Sequence, residues 1–477
     1  MRTGVNVLHG GPPAARVATA AALLAAAVLA AAAAKLGVAG LAVPLLIGAG
    51  AVALFSPTVA LTGLGALAII CEGPEFGIAS VTGHLYQPLY HDITPLDAVV
   101  GLAVISSLLA VVRDGRKIYI PRALLVPTVI LALAMAAGIA VGHANGTNLR
   151  FSVFSEHVLA YILLLPIAVA NLDINERMVK RLLGGAYALA VLKAVEGLAE
   201  ISLHLGRTVE GTTTLTYYEP ATNWVIMMAL LALVAAWIVG PRPPLWMLLG
   251  SPLLATCLMF SYRRSFWIAT VLALILIVLF ASTPRARRVL VPAGVLIAFA
   301  VWLLANTGFQ SNLPVVKRLD TISASKLEAN REDRYRIDER ANVVAEIERH
   351  PITGVGSGGT WQATAAPLPV EHEEGRAYVH FAVLLYWLKL GILGLAAYVS
   401  IIFGSALIGW RAWRAAADPP MRAFGLASAC AVAGLAVMDT TASFTGVEAR
   451  FTAIFGLQLG LLAVLAARHP AELGTRR

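Results

Sequence analysis

Long apolar runs recur along the whole chain, and they constrain its fold more than any other feature of the sequence. Each run has about 18 or more residues, enough to cross the roughly 30 Å hydrocarbon core of a bilayer as a helix. Of the 477 residues, 58% are hydrophobic and 13% are charged, too few charges for the surface of a soluble protein of this length. The sequence predicts an all-α, polytopic membrane protein with about 12 to 14 transmembrane helices.

Alternate loops between the predicted spans differ in their content of Lys and Arg. We predict spans at residues 16–34, 37–55, 57–72, 95–113, 122–142, 153–171, 178–201, 221–239, 244–261, 265–282, 288–306, 379–410, 422–438 and 450–468. One set of alternate loops is basic, whereas the opposite set includes 73–94, which lacks Lys and Arg, and 440–449, where Glu448 is the single charge. By the positive-inside rule, both termini are cytoplasmic. These basic loops account for much of the net charge of +9, so no nucleic-acid partner is expected.

This topology divides the chain into three parts. A transmembrane bundle of about 11 spans covers residues 1–306, a large extracytoplasmic loop covers 307–378, and about three C-terminal spans cover 379–477. A loop of that length is a functional element rather than a connector. Its middle has apolar residues at helical spacing, at Ile337, Val344 and Ile347, amid dense charges. We predict an amphipathic helix that lies along the outer membrane surface or caps a cavity.

External arginines indicate an anionic ligand. Arg263 and Arg264 stand at the predicted outer end of a short helix pair, where the positive-inside rule disfavours them. In the large loop, a helix would place Arg331 and Arg334 on one face and would place two further arginines on another. That second pair is Arg336 and Arg340. Guanidinium groups bind phosphate through charge-assisted, bidentate hydrogen bonds, so the group predicts a phosphate site. Snorkelling arginines and ion pairs with neighbouring acidic residues are the structural alternatives.

His380 is the strongest single candidate for a catalytic residue. It stands at the outer start of a predicted helix, in "YVHFAVLLYWLKLGILG". Beside arginines that hold a phosphate, a histidine can serve as a general base, because this residue type exchanges protons near neutral pH. The upstream loop "GVGSGG" lacks the Lys-Ser/Thr ending of a nucleotide-binding loop, so its glycines are expected to permit a sharp turn or a close approach. The cysteines and histidines show no metal-ligand spacing.

Polar residues before another span are candidates for contact with a sugar. The stretch "YYEPATN" contains Tyr218, Glu219 and Asn223, at the predicted outer end of the span 221–239. Aromatic and amide groups suit a glycan or other acceptor, although interfacial aromatics are common at such positions.

Two segments together resemble the O-antigen ligase and polymerase superfamily of bacterial membrane glycosyltransferases. The segments are "RIDERANVVAEIERHPITGVGSGGTW" and "YVHFAVLLYWLKLGILGLAAY". Arg336 falls at the place of the family's heading arginine and His380 at its histidine, and "SYRRSFW" is similar to an earlier family segment that Arg264 matches, with Arg263 beside it. The loop signature falls at Pro351, Gly354 and Gly356. Three positions depart from the family pattern, namely Arg340, Phe381 and Ser265.

The resemblance implies a GT-C-like ligase or polymerase architecture and a glycosyltransferase of the bacterial inner membrane. It implies that a glycan moves from an undecaprenyl-diphosphate carrier to a lipid, cell-surface or glycan acceptor on the outer face. The transfer would be inverting and metal-independent, with no cofactor; arginines would hold the diphosphate, and His380 would deprotonate or position the acceptor. Membrane lipids would surround the carrier's tail.

Rival functions differ in their acceptor or in their class. A polysaccharide polymerase would join lipid-linked repeats, whereas a ligase would use a lipid or cell-surface anchor; the loop signature slightly favours the ligase. A lipid-linked glycan flippase or secondary transporter is the further alternative. It would need ionisable residues deep in several spans, but the sequence has mainly Lys193, Glu196 and Glu200 in one span and Lys389 in another. A purely structural subunit would not account for the external arginines.

Overall fold

The fold is that of a helical membrane bundle. The computed structural model describes residues 50–72, 84–87, 93–203, 208–209, 212–213, 219–240, 242–261, 263–281, 331–368 and 376–467. The spans predicted at 16–34 and 288–306, and most of 37–55, lie outside these residues. Within them, strand structure is limited to a hairpin of β1 (Thr208–Val209) and β2 (Thr212–Thr213), and a 3-10 turn covers His84–Tyr86.

The α-helices of the described residues, apart from α4 and α10, largely overlap the predicted spans. In chain order they are α1 (Pro57–Ile70), α2 (Pro95–Arg113), α3 (Arg122–Ala144), α4 (Leu149–Phe154), α5 (Leu159–Ala170), α6 (Glu176–Ser202), α7 (Pro220–Val239), α8 (Leu245–Phe260), α9 (Arg264–Ala281), α10 (Arg331–Arg349), α11 (Ala382–Ala415), α12 (Pro419–Met438) and α13 (Ala449–Ala467). Among them, 8 are long and apolar enough to cross a membrane, and α1, α5 and α8 are shorter apolar helices. The prediction of an all-α, polytopic membrane protein is confirmed.

Local signals in the sequence explain where several helices begin. A proline occupies the first helical turn of α1, α2, α7 and α12, a position where its fixed φ is favourable and its missing N–H costs nothing. At the start of α2, the Thr94 hydroxyl accepts from the backbone N–H of Asp97, whose carboxylate accepts in return from the backbone N–H of Thr94. This capping box satisfies two backbone donors that would otherwise be exposed to the membrane interface.

The centre of the bundle is formed by α11, α12 and α13. Helix α11 packs along both α3 and α12, and α13 packs against α5. The contact between α11 and α12 is close at Gly425, where an added Cβ would lie 2.5 Å from the backbone nitrogen of Trp413. Small residues allow such close approach because apolar attraction alone does not drive helices together in lipid.

Helix α10 is the amphipathic helix predicted in the large loop. Its buried positions recur at helical spacing, at Glu339, Val343 and Ile347, and this face packs against α11. The apolar face is narrower than predicted, since Ile337 is 52% exposed. Two of its buried positions carry the glutamates Glu339 and Glu346. A face predicted from hydropathy alone therefore differs from the face that is buried in the structure.

Candidate functional site

The glycine-rich loop after α10 inserts its backbone between α3 and α11. The Val355 N–H donates to the carbonyl of Leu388 (2.7 Å) on one side. On the other side, the Ser357 N–H donates to the carbonyl of Gly138 (2.8 Å). Because these contacts join main chain to main chain, they fix the position of the loop along both helices.

Gly354 and Gly356 are required by this insertion. Their φ angles are +64° and +89°, values that residues with a side chain rarely adopt. An added Cβ would lie 2.2 Å from the carbonyl oxygen of Leu388 at Gly354, and 2.1 Å from the backbone nitrogen of Gly142 at Gly356. The loop signature therefore serves close backbone packing in this structure, as the sequence suggested for these glycines.

Helix α11 is broken where the loop meets it. Gly391 has φ +65° and ψ −157° inside the helix, and the N–H of Ile392 donates to the carbonyl of Ile352 (2.9 Å). Lys389, one of the few ionisable residues at depth in a predicted span, donates to the carbonyl of Gly359 at the end of the loop. Lys389 thus has a structural partner. The segment Ala382–Leu390 before the break is held by the loop as well as by the bundle.

His380 stands two residues before α11 and is held by Glu339 of α10. The Glu339 carboxylate accepts from the His380 backbone N–H (3.1 Å) and lies 3.0 Å from the ring Nδ1. A carboxylate of this kind accepts hydrogen bonds, so the proton belongs on Nδ1 and Nε2 carries the lone pair. The His380 side chain is 27% exposed, whereas that of Glu339 is 1% exposed. This pair presents an oriented histidine with one basic nitrogen available.

Two tyrosines flank the histidine ring. The ring centroid of His380 lies 4.9 Å from that of Tyr378 and 5.9 Å from that of Tyr335, both nearly perpendicular. Tyr335 is four residues before Glu339, so both project from one face of α10. We call His380, Glu339, Tyr335 and Tyr378 the His380 cluster.

Two of the predicted arginines act on this cluster through their charge. Burial raises the pKa of Tyr378 to about 12, and the negative charge of Glu339 adds to the rise, whereas the positive charges of Arg336 and Arg263 oppose it. The guanidinium of Arg263 also lies 5.7 Å from the centre of the Phe444 ring. Arg263 from the start of α9 and Arg336 from α10 therefore converge on the surroundings of Tyr378.

Arg264 is joined to α10 by an ion pair. Its Nη2 lies 2.8 Å from both carboxylate oxygens of Asp333, with side-chain exposures of 14% and 12% for the two residues. Asp333 is six positions before Glu339, a separation of about 9 Å along a helix axis. Arg264 and His380 are thus attached to the same helix.

The remaining predicted arginines of the loop have other surroundings. The side chain of Arg334 is 71% exposed and its Nε lies 3.9 Å from Asp338. The side chain of Arg331 lies outside the described part of the chain. Arg340, at a position that departs from the family pattern, places its guanidinium 5.9 Å from the centre of the Phe381 ring.

Sequence reasoning missed Glu339 and Asp333 as partners of His380 and Arg264. From the sequence alone, both are expected to pair with neighbouring loop arginines. The signal for Glu339 was its position at four-residue spacing between Tyr335 and Val343, on the face that packs inward. Nothing in the sequence links Asp333 to Arg264, because 69 residues separate them.

The predicted acceptor contacts lie in a different, fully buried cluster. Arg450 Nη1 is 2.6 Å from Glu219 and 3.8 Å from Glu72, and Lys193 Nζ is 3.2 Å from Glu72. We call Arg450, Glu72, Glu219 and Lys193 the Arg450 cluster. Asn223 is also buried, and it donates to the Glu219 carbonyl (3.1 Å).

These acceptor assignments stay predictions. Glu219 pairs with Arg450, and Asn223 donates to Glu219. Tyr218 lies outside the described residues. The two clusters are connected by packed rings, from Phe444 through Phe451 (5.8 Å) to Trp224 (5.4 Å).

The fold and site together define a class: a polytopic helical membrane protein in which an extramembrane helix holds a histidine and several arginines at one end of the bundle. The sequence model of the family described as O-Antigen ligase matches residues 249–399. That stretch runs from α8 through α10 to the middle of α11, and the chain therefore carries an O-antigen ligase domain over those residues. The family implies a lipid-linked glycan ligase or polymerase, so the protein is an enzyme of membrane glycan transfer. A search of curated proteins found no match.

Proposed function

We propose that this protein moves a glycan from an undecaprenyl-diphosphate carrier to a hydroxyl group of a lipid, cell-surface or glycan acceptor. The observation that carries the proposal is the attachment of Arg264 and His380 to one helix, through Asp333 (2.8 Å) and Glu339 (3.0 Å). A candidate diphosphate-binding group and a candidate proton acceptor are thereby attached to one helix, and this supports glycosyl transfer from a diphosphate, which requires both.

The reaction is a single displacement with inversion. Nε2 of His380 takes the proton of the acceptor hydroxyl as its oxygen bonds to the anomeric carbon. The bond from the anomeric carbon to the diphosphate oxygen breaks, and its electron pair leaves with undecaprenyl diphosphate. Arg263, Arg264 and Arg336 stabilise the negative charge that develops on the leaving group.

Glu339 is the positioning residue of this mechanism. It fixes the tautomer and the orientation of His380 and stabilises the imidazolium that forms when Nε2 is protonated. Its nearly complete burial keeps the carboxylate from competing solvent, so that its two hydrogen bonds are directed at His380 alone among the described residues.

A ligase and a polymerase would share this chemistry and differ in the acceptor. The loop signature slightly favours the ligase, with a lipid or cell-surface anchor as acceptor. A flippase or secondary transporter is less well supported, because Lys193 and Lys389, which lie at depth, are held by Glu72 (3.2 Å) and by the carbonyl of Gly359.

The site is proposed to face the extracytoplasmic side of the bacterial inner membrane, with both termini cytoplasmic. The support is the positive-inside pattern, in which Arg116, Lys117 and Arg122 lie at the end of the bundle opposite to His380. In a Cys71→Ser background, Ala365→Cys should react with an impermeant thiol reagent in intact spheroplasts and Lys117→Cys should not. The reverse labelling would overturn the proposed orientation.

The catalytic proposal is tested by transfer from a purified undecaprenyl-diphosphate glycan. His380→Ala is expected to lower kcat by about 10²–10⁴-fold without changing the melting temperature. His350→Ala is the matched control, since His350 lies in the same loop region with its side chain 47% exposed. Normal transfer by His380→Ala, or an equal loss in His350→Ala, would overturn the proposed role of His380.

A further inference from the structure

A large cavity lies in the bundle on the side away from the His380 cluster. It has a volume of about 590 Å³, within the range of cavities that hold small molecules. Its walls come mainly from α1, α6, α7 and α13. Its mouth is formed by the start of α6, the start of α12 and the segment after α7, where the residues are Lys180, Arg181, Arg242, Pro243 and Pro419.

This mouth is at the opposite end of the bundle from His380. Helix α11 begins two residues after His380 and ends at Ala415, and α12 begins at Pro419, beside the mouth. The undecaprenyl-diphosphate headgroup, which the proposed function puts near His380, would therefore be in the other leaflet. The cavity is a separate feature.

The interior of the cavity is long, narrow and mostly apolar. Its lining follows α7 from Trp224 to Ala236, a distance of about 18 Å at about 1.5 Å per residue. The polar groups at its deep end satisfy each other, since the Trp224 Nε1–H donates to Gln458 (2.9 Å). Such a space suits a hydrocarbon chain that enters from the mouth.

Glycines widen the cavity. Gly65 of α1 and Gly184 of α6 both line it. A Cβ added at Gly65 would meet only Leu457, at 3.5 Å, and one added at Gly184 would meet nothing within 4 Å. Larger side chains fit at both positions, and they would occupy space in the cavity instead of disturbing its walls.

The mouth carries three basic side chains, of which one has an acidic partner. Lys180 is paired with Asp418 (2.5 Å). Arg181 and Arg242 are exposed, and within the described part of the chain neither makes an ion pair. Two exposed guanidiniums at the rim of an apolar cavity between helices are the arrangement that binds an anionic lipid headgroup.

We infer that this cavity binds one anionic phospholipid, with an acyl chain between α1, α6 and α7 and its phosphate at Arg181 and Arg242. The lipid belongs to the leaflet opposite to the His380 cluster. It is a bound structural lipid and not the glycan donor, and this inference does not depend on the proposed function.

The inference is tested with delipidated, full-length protein in detergent. Phosphatidylglycerol should bind as a single adduct in native mass spectrometry and should raise the melting temperature, with phosphatidylcholine at least tenfold weaker. Inorganic phosphate should give no stabilisation, because it lacks the chain, and undecaprenyl phosphate should not displace the phosphatidylglycerol. Equal binding of the two phospholipids, or displacement by undecaprenyl phosphate, would overturn the assignment.

Matched variants locate the site. Gly65→Leu should abolish the adduct, whereas Gly63→Leu, two residues away and outside the lining, should keep it. Gly184→Leu fills the cavity from a second helix and serves as the test if Gly65→Leu does not fold.

The double variant Arg181→Gln and Arg242→Gln should weaken the binding of phosphatidylglycerol about tenfold or more, whereas Arg177→Gln, exposed on the same helix, should not. An adduct that survives both filled cavities would place the lipid elsewhere and end the inference.

Discussion

The His380 cluster and the Arg450 cluster each pair a basic side chain with a buried glutamate, and they differ in their contact with solvent. His380 has a side chain that is 27% exposed, and the described residues give its Nε2 no partner. Arg450 is 0% exposed, and its guanidinium donates to the carbonyls of Ala68 and Ile69 as well as to Glu219. One cluster leaves a histidine side chain partly exposed, and the other pairs its charged groups with one another and with the backbone inside the bundle.

This difference separates a group that is available to substrate from a group that holds helices together. The carbonyls of Ala68 and Ile69 belong to the last turn of α1, where a cation is favoured by the helix dipole. Arg450 itself stands in the first turn of α13, and Glu219 precedes α7. The Arg450 cluster therefore ties α1, α7 and α13 together. Four variants test the distinction.

The largest effect is expected from Arg450→Met. Removal of the guanidinium leaves Glu219 and Glu72 as buried carboxylates without their main cationic partner, which costs about 3–5 kcal/mol of unfolding free energy. The melting temperature in detergent and the monodisperse fraction should both fall sharply. Arg411→Met, an exposed arginine at the far end of the bundle, is the control. Unchanged melting of Arg450→Met would remove the structural interpretation of this cluster.

Arg264→Met should lower activity strongly and stability only slightly, in contrast to Arg450→Met. Loss of a donor that stabilises charge in the transition state typically lowers kcat by about 10²–10³-fold. The ion pair with Asp333 is partly exposed, so the melting temperature should fall much less than in Arg450→Met. Arg334→Met, at a side chain that is 71% exposed, should leave both quantities near those of the parent protein. A large loss of stability without loss of transfer per folded molecule would show that Arg264 stabilises the fold and takes no part in catalysis.

Glu339→Gln should lower kcat by roughly 10- to 100-fold, as the loss of a group that orients a functional histidine commonly does. The amide keeps the shape but not the charge that stabilises the imidazolium, so the KM for donor and acceptor should not change. Glu339→Asp should recover part of the rate. An increase in KM at constant kcat would show that Glu339 acts on binding and not on His380.

The smallest effect concerns Tyr378 and pH. Burial raises the pKa of its phenol to about 12, above the ordinary value of 10.0. The folded state therefore retains a proton that the unfolded chain loses, and the resulting stability is present below pH 10 and declines as the pH rises from about 10 to 12. The melting temperature of Tyr378→Phe should fall less over that interval than that of the parent protein. Identical curves would mean that Tyr378 titrates normally.

The spans could be predicted because hydrophobic length is a local property of the sequence. The candidate arginines could also be selected from the sequence, because an arginine at the predicted outer end of a span contradicts the positive-inside rule. Arg450, the first residue of the predicted span 450–468, meets that criterion too. The contacts that define the site were not predictable: Glu339 is 41 residues from His380, and Arg450 reaches Ile69 across 381 residues. Such pairings depend on how helices pack, which a single sequence does not encode locally.

The loop between α10 and α11 is held against α3 and α11 through main-chain contacts, and its outward side chains take no part in them. Ile352, 73% exposed at the tip of that loop, makes its contact with α11 through its carbonyl. Outward side chains of this loop can therefore be exchanged while the backbone contacts that anchor it between two helices stay in place.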